Sequence, residues 1–308
     1  MTEHPRPSPK ACELVRGAYD LHVHTGPDLL PRSASDLDLA YRCRERGLAG
    51  FVIKSHYMPS APRAAIVRSL VPDVDVLGAV TLNSAIGGIN PVAVEIGARA
   101  GARIVWMPTF DGVNEMLGHS ALPPGAKQPQ WARLQQELRE QGIKSGPVAV
   151  VDEAGQVLPE VRGVLRAIAK HELVLATGHL GRDEIFAVVA AALSEGVQHI
   201  IVTHPDYPTQ NLSIEDQRAL AGQGAWLERC FAPAYSGKVS WERMFERIRA
   251  VGPEHSFLST DLGQPDNPPI EDGLPLMADR LLEAGFTEEE IMTMAVTNTV
   301  RLATRGRK

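Results

Sequence analysis

The chain has 308 residues, the length of one α/β barrel with insertions, and its 44% hydrophobic content supplies a sizeable core. A net charge of -6 at pH 7 speaks against a nucleic-acid partner, and no apolar run approaches the roughly 18 residues that a membrane helix needs. Cys12, Cys43 and Cys230 are widely spaced and odd in number, and the opening MTEHPRPSPK has no apolar segment of secretory type. A disulfide framework is therefore not expected, and a cytoplasmic home is.

Residues 1–16 are polar and proline-rich and read as a lead-in segment. The first strand is expected over 18–24 (AYDLHVH). A helix follows over 36–46, started by Ser35 and stopped at Gly47. Further strands are expected over 49–56, 76–83 and 102–108; between the last two, Asn90-Pro91 opens a helix that ends at Gly101. Residues 109–158 form an insertion. Its first part, 109–147, is loop-like with one helical stretch near 130–141, and 148–158 reads as a hairpin turning at 153–156.

The second half repeats the alternation. Strands are expected over 173–179, 199–204, 225–231 and 256–261. A helix over 183–195 puts Ile185, Val188, Val189 and Ala192 on one face, and Ser213 with Asp216 and Thr287 with Glu290 have capping-box spacing. Nearly continuous apolar runs suit strands buried on both faces. Eight of them alternating with helices predict an α/β fold of TIM-barrel type, (β/α)8, in one domain over 1–308, with an insertion between the fourth and fifth strands. An open doubly wound sheet is the alternative that periodicity leaves standing.

Barrel enzymes carry their chemistry at the C-terminal ends of the strands. His22, His24, His56, His179 and His204 fall there, as does Asp261, whereas His171, His199 and His255 precede strands. His22 and His24 are two apart in a strand, so both imidazoles project to one side, as a divalent metal requires. His179 and His204 end neighbouring strands and can supply a second cluster. Lys54 ends the second strand, with His56 facing the same way. Asp206, just past His204, is a candidate to orient a ligand or substrate, or a turn residue. Glu228 and Arg229 interrupt an apolar strand, so that one faces the pocket or the two serve a structural ion pair. His119 and Trp131 belong to a lid or to a plain surface loop. Lys144-Ser145-Gly146 lacks the rest of a phosphate loop, and Met292 and Met294 are assigned to the core.

The order HxH after the first strand, His after the fifth, His after the sixth and Asp after the eighth resembles the amidohydrolase superfamily over roughly residues 18–304. The closing TNTVRLAT is similar to its last helix. DLHVHTGPD with FVIKSH looks closest to a branch without an assigned substrate. The resemblance implies one or two divalent ions, usually zinc, with manganese, iron or nickel as alternatives. It also implies a metal-activated water that cleaves an amide, ester, lactone or phosphoester of a small molecule. Carried over, His22, His24 and Asp261 would hold one ion and His179 and His204 the second, and Asp261 would take the proton of the attacking water.

One feature departs from that pattern. The fourth strand, RIVWMPTF, offers no carboxylated lysine or glutamate. Lys54 is then a carboxylated bridge, a free ammonium that binds an anionic group, or a bystander to His56 as the extra ligand. His56, Asp206 and Glu228 are the candidate substrate contacts. A phosphoesterase of the polymerase-and-histidinol-phosphatase type also starts with HxH, but it has seven strands. A decarboxylase of the same superfamily and a non-catalytic metal- or ligand-binding barrel are the other readings. Membrane and nucleic acid are not expected as partners; a homo-oligomer is left open.

Overall fold

The apolar runs become eight parallel strands. A computed structural model describes residues 4–120, 130–143 and 145–304. The strands are β1 (Tyr19–Val23), β2 (Gly50–Ile53), β3 (Asp75–Thr81), β4 (Ala102–Trp106), β5 (Val174–Ala176), β6 (His199–Val202), β7 (Trp226–Cys230) and β8 (Ser256–Ser259), and neighbours in the sheet follow chain order. A parallel bridge from Val23 to Leu262 closes β8 onto β1. The molecule is thus a (β/α)8 barrel, and the open-sheet alternative falls away.

Its helices are α1 (Pro9–Leu14), α2 (Asp36–Arg46), α3 (Ala61–Leu70), α4 (Pro91–Arg99), α5 (Val113–Ser120), α6 (Gln130–Glu140) and α7 (Pro159–Lys170). After them come α8 (Arg182–Ser194), α9 (Ile214–Gly222), α10 (Phe231–Tyr235), α11 (Trp241–Val251), α12 (Ile270–Glu283), α13 (Glu288–Met292) and α14 (Asn298–Ala303). The expected caps are present: Ser35, Ser213 and Thr287 each close a capping box, and Asn90 accepts from Val92 and Ala93 N–H. None of the described helices is long and apolar enough to cross a membrane.

Alternate strand residues point into the barrel, where Leu21, Val52, Ala79, Ile104, Val174 and Phe257 are packed; the others meet the helices. β1 breaks this alternation. Asp20 pairs with Phe51 and Val23 with Ile53, so three steps on β1 match two on β2. Such a bulge re-aims side chains. It turns His22 inward on the heels of Leu21, and His24 follows two residues later. At the opposite end the Arg103 guanidinium donates to the carbonyls of Leu302, Glu172 and Thr304, and the Asn298 amide donates to those of Pro253 and Ser256. These bonds tie the closing helix α14 across the barrel's base.

Several expectations need correction. The lead-in is folded: Ser8 caps α1 and binds Asp279, and Ala11 and Leu14 are buried. Residues 113–120, read as loop, form α5. The 148–158 hairpin is reduced to one antiparallel bridge, Val151 to Val157, around a turn in which the Asp152 carboxylate accepts from Ala154 and Gln156 N–H. Residues 121–129 and 144, where much of the expected lid and the Lys144 motif fall, lie outside the described residues, as does the side chain of His119. Met294 is in the core, but Met292 faces solvent.

The fifth strand is shorter than expected because the chain leaves the ladder at Gly178. That residue has φ 61°, and a Cβ there would collide with the Met107 carbonyl. Both constraints require glycine. Gly178→Ala is therefore expected to lower unfolding stability by about 1–3 kcal/mol in denaturant titration. Unchanged stability would contradict this path of the chain.

Candidate metal centre

Five imidazoles form a closed circuit at the C-terminal mouth. Ring centroids lie 6.2 Å apart from His204 to His22, then 5.3 Å to His24, 4.9 Å to His56, 6.2 Å to His179 and 5.0 Å back to His204. Except for the fully buried His22, they line one cavity of about 450 Å³ together with Lys54 and Asp261. That volume falls in the range of small-molecule sites.

His22 and His24 are oriented from behind. The Nδ1–H of His22 donates to Glu228 Oε1 at 3.0 Å, and that of His24 donates to the Lys54 carbonyl at 3.1 Å. Each bond turns Nε2 toward Asp261, where that atom carries the lone pair whenever the ring is neutral. Both Nε2 atoms then lie 3.1 Å from Asp261 Oδ1. Backbone geometry holds the carboxylate in place: Asp261 has φ 53°, its N–H donates to the His22 carbonyl, and a Cβ on the following Gly263 would collide with the His24 carbonyl.

The electrostatics suit a cation at this point. Burial, and then the charge of Arg32, push His24 down to about 3; burial and then His179 do the same for His204. Both rings are neutral, the form that ligates metals. Burial and Lys54 act against a charge on His22, yet Asp261 and Glu228 outweigh them and raise it to about 9. Burial works against ionisation of Glu228, but His22 holds it down at about 2. The two carboxylates thus already draw positive charge to the spot where the Nε2 atoms meet.

A second set of donors, His22 with Glu228 and Cys230, is also close enough to hold an ion. Burial keeps the Cys230 thiol well above its ordinary pKa, however, and His22 Nδ1 is already committed to Glu228. The set with His24 and Asp261 is the better fit.

His179 and His204 make up the rest of the circuit. Among the described residues each has a buried Nδ1 without a hydrogen bond, although Glu115 Oε2 is 3.4 Å from that of His179. Buried polar atoms are rarely left so, and two in adjacent rings fit a second ligand pair. Lys54 Nζ reaches to 2.8 Å from His22 Nε2 and lies 5.2 Å over the Trp106 ring, the residue that ends the fourth strand in place of a ligand. His56 Nδ1 is 2.8 Å from Thr109 Oγ1, which also accepts from the Asn83 amide. If no donor is idle, the Thr109 hydroxyl donates to His56, which then keeps Nε2–H as a donor. That favours a substrate contact over a ligand.

Two expected substrate contacts are corrected. Glu228 is fully buried behind His22, and its second oxygen accepts the His204 N–H at 3.1 Å, so it orients the His22 ring and the His204 backbone and does not face the cavity. Asp206 lies below the cavity and is bound by Arg229 at 2.8 Å, Arg247 at 2.7 Å and Gln217 at 2.9 Å. Removing its charge would leave two buried guanidinium groups without a counter-ion. Asp206→Asn is therefore expected to cost about 3–5 kcal/mol in urea unfolding; a loss below about 1 kcal/mol would show that the network is not what anchors this loop.

The cavity also holds residues that the sequence did not single out: Arg32 from the β1–α2 loop, Phe110, Glu115 from α5, and Tyr207 with Lys238, whose Nζ donates to the Tyr207 hydroxyl at 3.0 Å. None has a signal in spacing. Only the proximity of Arg32 to HVH along the chain could have drawn attention to it.

A model of a family of unknown function (DUF6282) matches residues 17–228. The chain belongs to that family. No curated protein matches it by sequence. Among solved structures, an amidohydrolase from Pseudomonas aeruginosa is similar at TM-score 0.59 and 13% identity, with 96% of this chain and 98% of that one covered. A probable dipeptidase from the same organism is similar at TM-score 0.62 and 10% identity, covering 96% of each chain. A variant of an organophosphorus hydrolase from Deinococcus radiodurans is similar at 0.53 and 15%, covering 96% and 94%. At such identities the likeness is one of fold.

Proposed function

We propose that this chain is a metal-dependent hydrolase of amidohydrolase type, acting on an amide, ester, lactone or phosphoester bond of a small molecule. The observation that carries the reading is the convergence of His22 Nε2 and His24 Nε2 on Asp261 Oδ1, with both Nδ1 atoms locked from behind. Structural neighbours that include an amidohydrolase, a probable dipeptidase and an organophosphorus hydrolase support it.

His22, His24 and Asp261 would hold one divalent ion, with zinc as the best match to nitrogen and carboxylate donors, and His179 and His204 a second. Such an ion supplies Lewis acidity and lowers the pKa of water toward 7. Asp261 is the proton carrier. Its side chain is 20% exposed, and its second oxygen makes no hydrogen bond among the described residues, so it can accept a proton from the attacking water and return it to the leaving group. His56, held by Thr109, donates to the substrate from Nε2. We read Lys54 as the carboxylated bridge: a cation beside His22 Nε2 opposes metal binding, whereas a carbamate there adds a ligand.

Loaded with zinc, the protein is expected to hydrolyse at least one member of a panel of aryl esters, lactones, acyl amides and phosphotriesters. Asp261→Asn should fold normally and lose about a hundredfold or more in kcat. Turnover near wild type in that variant, or full zinc occupancy with no turnover across the panel, would overturn the reading. Lys54 is tested separately. In isotopically labelled bicarbonate the wild type should give a carbamate carbon resonance that Lys54→Arg lacks, and identical spectra would remove the bridge.

A further inference from the structure

We propose that Arg32 is the anion clasp of this site, and that the substrate is an organic acid whose carboxylate binds Arg32 while an apolar body occupies the adjoining chamber. The proposal rests on the hydrolase reading for the reacting bond, but Arg32 carries its own evidence.

The Arg32 side chain is 5% exposed, although it sits on a surface loop. Among the described residues its one hydrogen bond runs from Nη2 to Asp28 Oδ2 at 3.2 Å, and Nε is buried without a partner. A guanidinium has five donors in a planar fork, so most of its capacity is unused. It lines the same cavity as His24, Lys54 and Asp261.

Of the other nearby cations, Lys54 is directed at His22 Nε2 and is no cation once carboxylated. Arg63 is engaged by Asp36 and the Thr25 carbonyl, and Lys238, exposed at the rim, gives one bond to the Tyr207 hydroxyl. Asp28 already offsets part of the Arg32 charge, which suits a monoanion better than a phosphate dianion. The fork geometry matches a carboxylate.

The second half of the substrate follows from the aromatic lining of the same cavity. His24, His56, Phe110 and Trp131 stack in sequence, with centroid separations of 4.9, 3.7 and 5.1 Å. Phe110 and Trp131 line both the metal cavity and a neighbouring cavity of about 650 Å³. That chamber is bordered by Leu29, Met58, Leu134, Leu138 and Ile143, and Leu29, Met58 and Ile143 are exposed to it or to solvent. Asp28 borders the apolar chamber and Arg32 the polar one, so their ion pair lies at the junction.

The test compares phenylacetate with neutral phenylacetamide by calorimetry, on zinc-loaded and chelator-treated full-length protein. The wild type should prefer the acid by about tenfold or more, in both metal states. Arg32→Gln should abolish the preference at unchanged zinc content, and Arg32→Lys should restore part of it. Asp28→Asn, which frees the guanidinium, should strengthen it and keeps the proposal testable if Arg32→Gln misfolds. Equal binding of acid and amide by the wild type would overturn the clasp. So would a preference that survives Arg32→Gln, or one that disappears with the zinc, which would place the carboxylate on the metal. Failure of the hydrolase reading alone would leave a preference that still depends on Arg32.

Discussion

β8 meets β1 through two backbone bonds at the mouth: Asp261 N–H to the His22 carbonyl and His24 N–H to the Leu262 carbonyl, each 2.8 Å. The barrel closes there, and that closure makes the site. Asp261 lies well over two hundred positions from His24 in the chain, yet the seam sets its carboxylate against both imidazoles. Below it the Asp20 carboxylate accepts from the N–H and hydroxyl of Thr260, and burial raises Asp20 to about 7. Above it Gly263 admits the chain past the His24 carbonyl. The bulge in β1 completes the arrangement, because without it His22 would face the helices.

Such a concentration of buried polar groups is costly unless each is paired. Most are. Glu228 alone serves His22, Ser259 and the backbone of His204. The Asp206–Arg229–Arg247 network supports the loop behind His204, which carries a positive φ of 25°. Among the described residues, three of the ten buried side-chain atoms without a partner belong to residues that line the cavity: Nδ1 of His179, Nδ1 of His204 and Nε of Arg32. These three differ from the other seven in facing the polar cavity, and they separate into ring nitrogens suited to a metal and a guanidinium suited to an acid.

The strands were legible because parallel strands buried on two faces must be apolar throughout, and helix caps are local chemistry. The histidines were legible because barrel topology tells strand ends from strand starts. Arg32 and Glu115 were not, since a side chain that enters the mouth from a loop or a short inserted helix has no periodicity to announce it. Asp206 and Glu228 were placed at the correct end of the barrel but given the wrong aim. Their partners, Arg247 and His22, are remote in sequence, and only the folded chain shows that the charges are already used. α1 escaped notice because its apolar face is little more than Ala11 and Leu14, packed on an element from the far end of the chain.

The central claim is that the mouth of this barrel is a metal centre built on His22, His24 and Asp261. Anomalous diffraction at the zinc edge, from crystals of the protein grown with zinc, tests it most directly. The account predicts a peak about 2.0–2.2 Å from His22 Nε2, His24 Nε2 and an Asp261 oxygen. Zinc bound only elsewhere on the chain, with the Nε2 atoms still facing Asp261 alone, would contradict it.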